Sequence, residues 1–135
     1  VLFTAAPNIA MDIVARTTQP QVTLLGGSLS RTTFSCSGHL PLEYLRSINI
    51  DIAFMATSAF SLENGFTSGN PYESEIKAEV IRKARRVIML MNTDKIDRNM
   101  PYTFAHMEDI NVLICEKMPS EDVLRSATAC GVTVL

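Results

Sequence analysis

The stretch Val87-Ile-Met-Leu-Met91, running directly into Asn92-Thr-Asp-Lys95, sets the fold class of this chain. Five successive apolar residues without polar alternation mark a strand buried on both sides, and the polar turn ends it. Before it, Pro71 opens the longest helical pattern, running roughly to Arg86, with Ile76, Val80, Ile81 and Ala84 on its inner face. Earlier still, Asp51-Ile-Ala-Phe-Met-Ala56 reads as a second buried strand, and Thr57 to Asn70 as a loop rich in Ser, Thr, Gly and Asn. Strand, helix, strand with apolar strands predicts an α/β fold, a mostly parallel sheet with helices on both faces.

The flanking sequence keeps the same rhythm. Val1 to Phe3 is the tail of an apolar run, Pro7 opens a helix with Ile9, Ile13 and Val14 on one face, and Gln21 to Leu25 is a strand ending at Gly26-Gly27. Leu40 to Ile48 is a helix, Asn111 to Cys115 a strand, Ser120 the cap of a helix running to about Cys130 and stopped by Gly131, and Val132 to Leu135 a closing strand. A strand at residue 1 with no turn before it predicts that the native polypeptide continues upstream. Residues 1–135 read as one domain without internal repeat or linker.

Composition excludes several classes. At 135 residues, 47% hydrophobic and 19% charged, the chain has ample apolar material for a core and is no disordered tail. Twelve basic against fourteen acidic residues, net −2, provide no field for nucleic acid. No apolar run approaches the ~20 residues of a membrane span. The opening residues, with Asp12 among them and no basic start, make a poor signal peptide. Three widely spaced cysteines, Cys36, Cys115 and Cys130, fit neither a disulfide framework nor a zinc site. A reduced, cytoplasmic, soluble domain is expected.

In open α/β sheets ligands gather beyond the carboxyl ends of the strands. That rule selects Thr4, Gly26, Gly27, Thr57, Ser58 and the turn Asn92 to Lys95. Small residues let a ligand approach the backbone, and hydroxyls and free N–H groups suit a phosphate. A glycine pair alone equally makes a plain turn, and Lys95 either reaches a phosphate or is merely solvated; the residues leave both open. Glu73 and Lys77 stand i, i+4, the order for a surface ion pair of ~0.3–0.5 kcal/mol. Arg82, Lys83, Arg85 and Arg86 fall in the last turns of the predicted helix, where cations complement its dipole.

His39 and His106 have no partners at metal-ligand spacing. Cys36, between two serines, has no basic neighbour to lower its pKa. The seven methionines read as core filler. The segment after Met55 offers no carboxylate until Glu63, so spacing favours a ligand-binding module over an enzyme. No catalytic residue, metal ligand or cofactor is assigned.

An ordered series of motifs adds a family. The pieces are Val1-Leu-Phe-Thr4, Leu25-Gly-Gly-Ser-Leu29 with Arg31, Ser37-Gly38, Asp51-Ile-Ala-Phe-Met55 and Gly65-Phe-Thr67. They continue with Glu73-Ser-Glu-Ile-Lys77, Ala84-Arg-Arg-Val87, Asn92-Thr-Asp-Lys95 and Asp109-Ile-Asn-Val-Leu-Ile114. No piece is specific alone, but nine in order with compatible gaps are. Over essentially its whole length the chain resembles the C-terminal effector domain of DeoR-type bacterial transcriptional repressors.

The resemblance implies a fold similar to ribose 5-phosphate isomerase, turned from catalysis to sensing a phosphorylated sugar or related metabolite that controls operator binding. It implies that DNA is contacted by an upstream winged helix-turn-helix absent from this chain, as is the family's first strand with its Asp-x-Gly-Thr-Thr phosphate loop. It also implies a homo-oligomer. Thr4 and the Gly26-Gly27 pair match the family pattern, with Ala5 in place of an asparagine. Ala56-Thr57-Ser58-Ala59 occupies the segment that carries catalytic aspartates in the isomerases, and Ala59 replaces a glycine. Glu73 matches a shared acidic residue, Lys77 closes the same motif, and Lys95 matches the lysine of Asp-Ser-Ser-Lys with Asn92 in place of the aspartate. The implied ligand set is therefore Thr4, Gly26, Gly27, Thr57, Ser58, Glu73, Lys77 and Lys95. A relative of the sugar-phosphate isomerases that keeps turnover is the competing expectation.

Overall fold

A computed structural model of the chain describes all 135 residues, which fall into two compact units, residues 1–48 and 49–135.

The first unit begins as a strand–helix–strand crossover. Strand β1 (Leu2–Thr4) and strand β2 (Val22–Leu24) pair in parallel, joined through helix α1 (Pro7–Arg16). Pro7 occupies the first turn of α1, where a missing N–H costs nothing. A short antiparallel pair follows, β3 (Ser28–Leu29) with β4 (Cys36–Ser37), and then helix α2 (His39–Ser47). Leu45 of α2 is fully buried, and the rings of Phe3 and Tyr44 lie 6.1 Å apart.

The second unit carries the main sheet. Its strands are β5 (Ile50–Ala56), β8 (Ala84–Leu90), β10 (Val112–Ile114) and β11 (Thr133–Val134), all parallel, in the order β11-β10-β8-β5. Between β5 and β8 lie the strands β6 (Ala59–Ser61) and β7 (Gly65–Ser68) and helix α3 (Pro71–Lys83). Strand β9 (Tyr102–Ala105) follows β8, and helix α4 (Glu121–Ala129) connects β10 to β11. The fold is α/β with a parallel four-stranded sheet and flanking helices, as expected. No helix is long and apolar enough to cross a membrane.

Register explains which side chains form the core. Ala53 pairs with Val87, Met55 with Met89, and Met89 in turn with Leu113, so these side chains share one face of the sheet. Val123 and Ala127 of α4 join them in one buried cluster, with Val80 and Ile81 of α3 packed at its border. The other face behaves differently. Ile52 and Phe54 are 53% and 67% exposed, and Leu90 is also exposed. The strands are apolar on both sides, but in the structure dense cover lies on one.

Three readings of the sequence need correction. The expected loop Thr57–Asn70 contains a buried hairpin: β6 and β7 pair antiparallel, and β9 adds to β7. Phe60 and Phe66 stack with ring centroids 4.6 Å apart inside the core, which offsets the weak strand propensity of the Ser, Gly and Asn around them. The long helix ends at Lys83, not Arg86, because Ala84 turns extended and pairs with Ile50. Arg85 and Arg86 are therefore strand residues, and the dipole argument holds for Arg82 and Lys83 alone. Ser120 does stand at the start of α4, but its side chain makes no capping bond.

Truncating the core should be costly and truncating the open face should not. Leu113, fully buried, should lose about 3 kcal/mol of unfolding free energy as Leu113→Ala. Phe54→Ala should lose less than about 1 kcal/mol, with both variants measured by urea titration.

Candidate functional site

The candidate residues Thr4, Gly26, Gly27, Thr57, Ser58 and Lys95 all lie at or just past the carboxyl ends of strands. In the first unit Thr4 ends β1, and its Oγ1 accepts the Ala6 N–H at 3.1 Å, which turns the chain toward α1. Gly26 and Gly27 follow β2, both with positive φ (75° and 102°). Gly27 also lies against other backbone: a Cβ there would collide with the Ser37 carbonyl oxygen and lie 2.9 Å from Pro41 Cδ. It lines a cleft of about 350 Å³ with Ser28, Ser37, Gly38, His39 and Leu40, at the start of α2. Gly38 precedes that helix without a side-chain cap, so the first amide groups of α2 face no internal acceptor from it.

In the second unit Thr57 and Ser58 follow β5. Thr57 Oγ1 donates to the carbonyls of Ala59 (2.7 Å) and Thr67 (3.2 Å), closing the base of the β6–β7 hairpin. Its single proton is thereby spent within the fold, leaving lone pairs for any ligand. Ser58 beside it makes no side-chain bond within the chain.

Glu73 stands in the first turn of α3, whose N-cap Asn70 accepts the amides of Tyr72 (2.9 Å) and Glu73 (3.2 Å). Its Oε1 lies 2.8 Å from Lys77 Nζ, and the two side chains are only 21% and 15% exposed. Lys77 Nζ also sits 5.1 Å from the centre of the Phe104 ring. The surface pair expected from spacing is thus a largely buried one, with both charges committed to each other.

Lys95 closes a short 3-10 turn, Thr93–Lys95, just past β8. The side chain is half-buried and forms no ion pair within the chain. The turn is braced by a residue that sequence reasoning missed. Glu116, two residues past the end of β10, accepts the Thr93 amide at 2.8 Å through Oε2 and the Thr93 hydroxyl at 2.5 Å through Oε1. These bonds, the hydroxyl first, hold the Glu116 carboxyl below its ordinary value. The neighbouring Cys115 thiol is pushed up, chiefly by burial and also by the Glu116 charge, and is a poor nucleophile. The signal for Glu116 was available: it follows an apolar strand just as Lys95 follows β8.

The structure joins Glu116 to Thr93, in the turn that also carries Lys95, and joins Glu73 to Lys77, while Thr57 serves the hairpin. The two histidines have other partners: His39 Nε2 lies 3.0 Å from Glu43, and His106 forms a capping box with Asp109. Cys36 is buried.

A family model described as the DeoR C terminal sensor domain matches residues 1–117. Similar proteins include the HTH-type transcriptional regulator GlpR of Haloferax volcanii, 28% identical over 132 residues, 98% of this chain and 51% of that protein. The HTH-type transcriptional repressor GlcR of Bacillus subtilis is 27% identical over 89% of this chain and 46% of its own length. A putative aga operon transcriptional repressor of Escherichia coli O157:H7 is 24% identical over 85% of this chain and 43% of its own. The chain therefore spans about half the length of these relatives.

Three outcomes follow from this geometry. Gly26→Ala should cost roughly 1–2 kcal/mol in chemical denaturation for its left-handed backbone. Gly27→Ala should cost clearly more, since the Ser37 carbonyl cannot yield without moving β4. For Glu116, the depressed folded-state value means that its stabilisation is complete above the ordinary carboxylate range. It is lost as pH falls through the lowered value. The stability difference between wild type and Glu116→Gln should accordingly be constant near neutrality and shrink on acidification.

Proposed function

Since the chain belongs to the DeoR C-terminal sensor domain family, we propose that it takes a phosphorylated sugar or a related anionic metabolite at the carboxyl rim of its strands and so controls operator binding. The observation that carries this reading is Lys95. It is a half-buried cation without an internal partner, at the carboxyl end of a parallel strand, where the sheet geometry gathers ligands. Lys77 provides the contrast, since its charge is already answered by Glu73.

In this reading Lys95 meets the phosphate, while Ser58, Thr57 and the outer oxygen of Glu73 receive sugar hydroxyls. Lys77 acts through Glu73, holding its carboxylate in place. Within the first unit Thr4, Gly26 and Gly27 remain proposed ligand contacts on the family pattern. The DNA contact is assigned to a winged helix-turn-helix outside these 135 residues, a division of labour that suits a chain of net charge −2. Effector binding would favour one arrangement of subunits in a cytoplasmic homo-oligomer and shift operator affinity by population. The protein is read as a sensor and not as an enzyme, in keeping with relatives named as transcriptional regulators.

The test is a thermal-shift screen of the intact protein against pentose and hexose phosphates, followed by operator binding with the best hit. At least one should raise Tm and change operator affinity, and Lys95→Ala should weaken affinity for that effector about tenfold or more, since a lysine–phosphate bond contributes ~1.5–3 kcal/mol. No shift from any phosphorylated sugar would overturn the reading. So would isomerase turnover on the same panel that disappears in Glu73→Gln, which would make the protein an enzyme.

A further inference from the structure

The turn that carries Lys95 is short, and its own hydrogen bonds are few. The Lys95 amide donates to the Asn92 carbonyl at 3.1 Å and the Ile96 amide to the Thr93 carbonyl at 3.2 Å. Beyond it the chain is tied to the hairpin: Ile96 bridges to Phe60, the Arg98 amide donates to the Phe60 carbonyl, and the Met100 amide donates to Thr67 Oγ1 at 2.9 Å. At its entrance the side-chain tether is Glu116, which takes both donors of Thr93 at once.

We propose that Glu116 is a positioning residue: by gripping Thr93 with both carboxylate oxygens, it fixes the Asn92–Lys95 turn so that the Lys95 ammonium is held ready for the phosphate of an effector. This rests on the assignment of Lys95 made above and adds to it the residue that makes the lysine effective. The chemistry is specific. One ionised carboxylate meets one amide and one hydroxyl of the same residue, so both the rotation of the Thr93 side chain and the plane of its peptide are set. Two parallel bonds resist twisting as a single bond does not. A loosely held lysine would have to be ordered at the moment of binding, which weakens affinity. Glu116 also joins the ends of β8 and β10, neighbouring strands of the sheet, so the turn inherits the rigidity of the ladder between them.

Glutamine at 116 keeps the size of the side chain but has one acceptor oxygen in place of two and no charge, so it cannot meet the Thr93 amide and hydroxyl through separate oxygens. Valine at 93 removes the hydroxyl and leaves the amide. The experiment is a double-mutant cycle on the intact protein, with inorganic phosphate titrated by calorimetry as the anionic probe and Tm recorded for every variant. Glu116→Gln and Thr93→Val should each weaken phosphate binding threefold or more, and together they should weaken it no further than the larger single effect. In a Lys95→Ala background Glu116→Gln should have no effect on phosphate affinity. That last readout separates positioning from mere support of the fold, because a general loss of stability lowers Tm in either background but does not depend on Lys95.

Unchanged or tighter phosphate binding in Glu116→Gln, with Lys95→Ala still weakening it, would overturn the positioning role and leave Lys95 standing; tighter binding would show the carboxylate competing with the anion. An equal loss from Glu116→Gln with and without Lys95 would also overturn it. If Lys95→Ala leaves phosphate affinity unchanged, or wild type binds no phosphate, the Lys95 assignment itself fails and this inference goes with it.

Discussion

The parallel ladder of β5, β8 and β10 is the constraint on which the second unit depends. Parallel pairing cannot be closed by tight turns, so each strand must be followed by a connection that crosses back to its start. All the strands then end on one edge, and the residues after Ala56, Leu90 and Ile114 gather there by topology and not by proximity in sequence. The same register that puts Val87, Met89 and Leu113 in one buried face puts Thr57, Thr93 and Glu116 along one rim.

Two lysines in this unit show how environment divides the roles of like residues. Lys77 lies on α3 against the Phe104 ring with Glu73 one helical turn away, so burial of its stem and neutralisation of its charge come together. Lys95 has the turn, partial burial and no counterion. A buried pair stabilises its own geometry and resists displacement, whereas an unpaired cation at a strand end keeps its attraction for an incoming anion. Glu116 adds the complement: a carboxylate on the same rim that is already occupied by hydrogen-bond donors of the chain. Acidic and basic groups are both present at this edge, but the acidic one is engaged and the basic one is not.

The hairpin of β6 and β7 ties the segment that follows Lys95 to the core. Phe60 and Phe66 anchor it in the core, Thr57 closes its base, and Ser61 donates to Asn99 at 2.6 Å, drawing in the segment that leads from Lys95 toward β9. A stretch that reads as polar loop is therefore a buried structural element. Single-sequence reading missed it because two phenylalanines among serines, glycines and asparagines create no periodic pattern; only pairing with each other and with β9 makes them strand.

The sequence by itself determined the α/β class, the positions of four helices and the main strands, the strand ends where a ligand would be sought, and the family. Each follows from local information: apolar runs, proline and glycine punctuation, and an ordered set of short motifs. Tertiary structure alone decided that α3 stops at Lys83, since pairing of Ala84 with Ile50 outweighs helical periodicity. It alone showed which of Lys77 and Lys95 has a partner, and it alone revealed that Glu116 holds Thr93 across 23 residues of chain. The physical reason is the same throughout. Hydrogen-bond partners, burial and counterions are properties of pairs brought together by the sheet, and the identity of either member of a pair says little about whether the other has arrived.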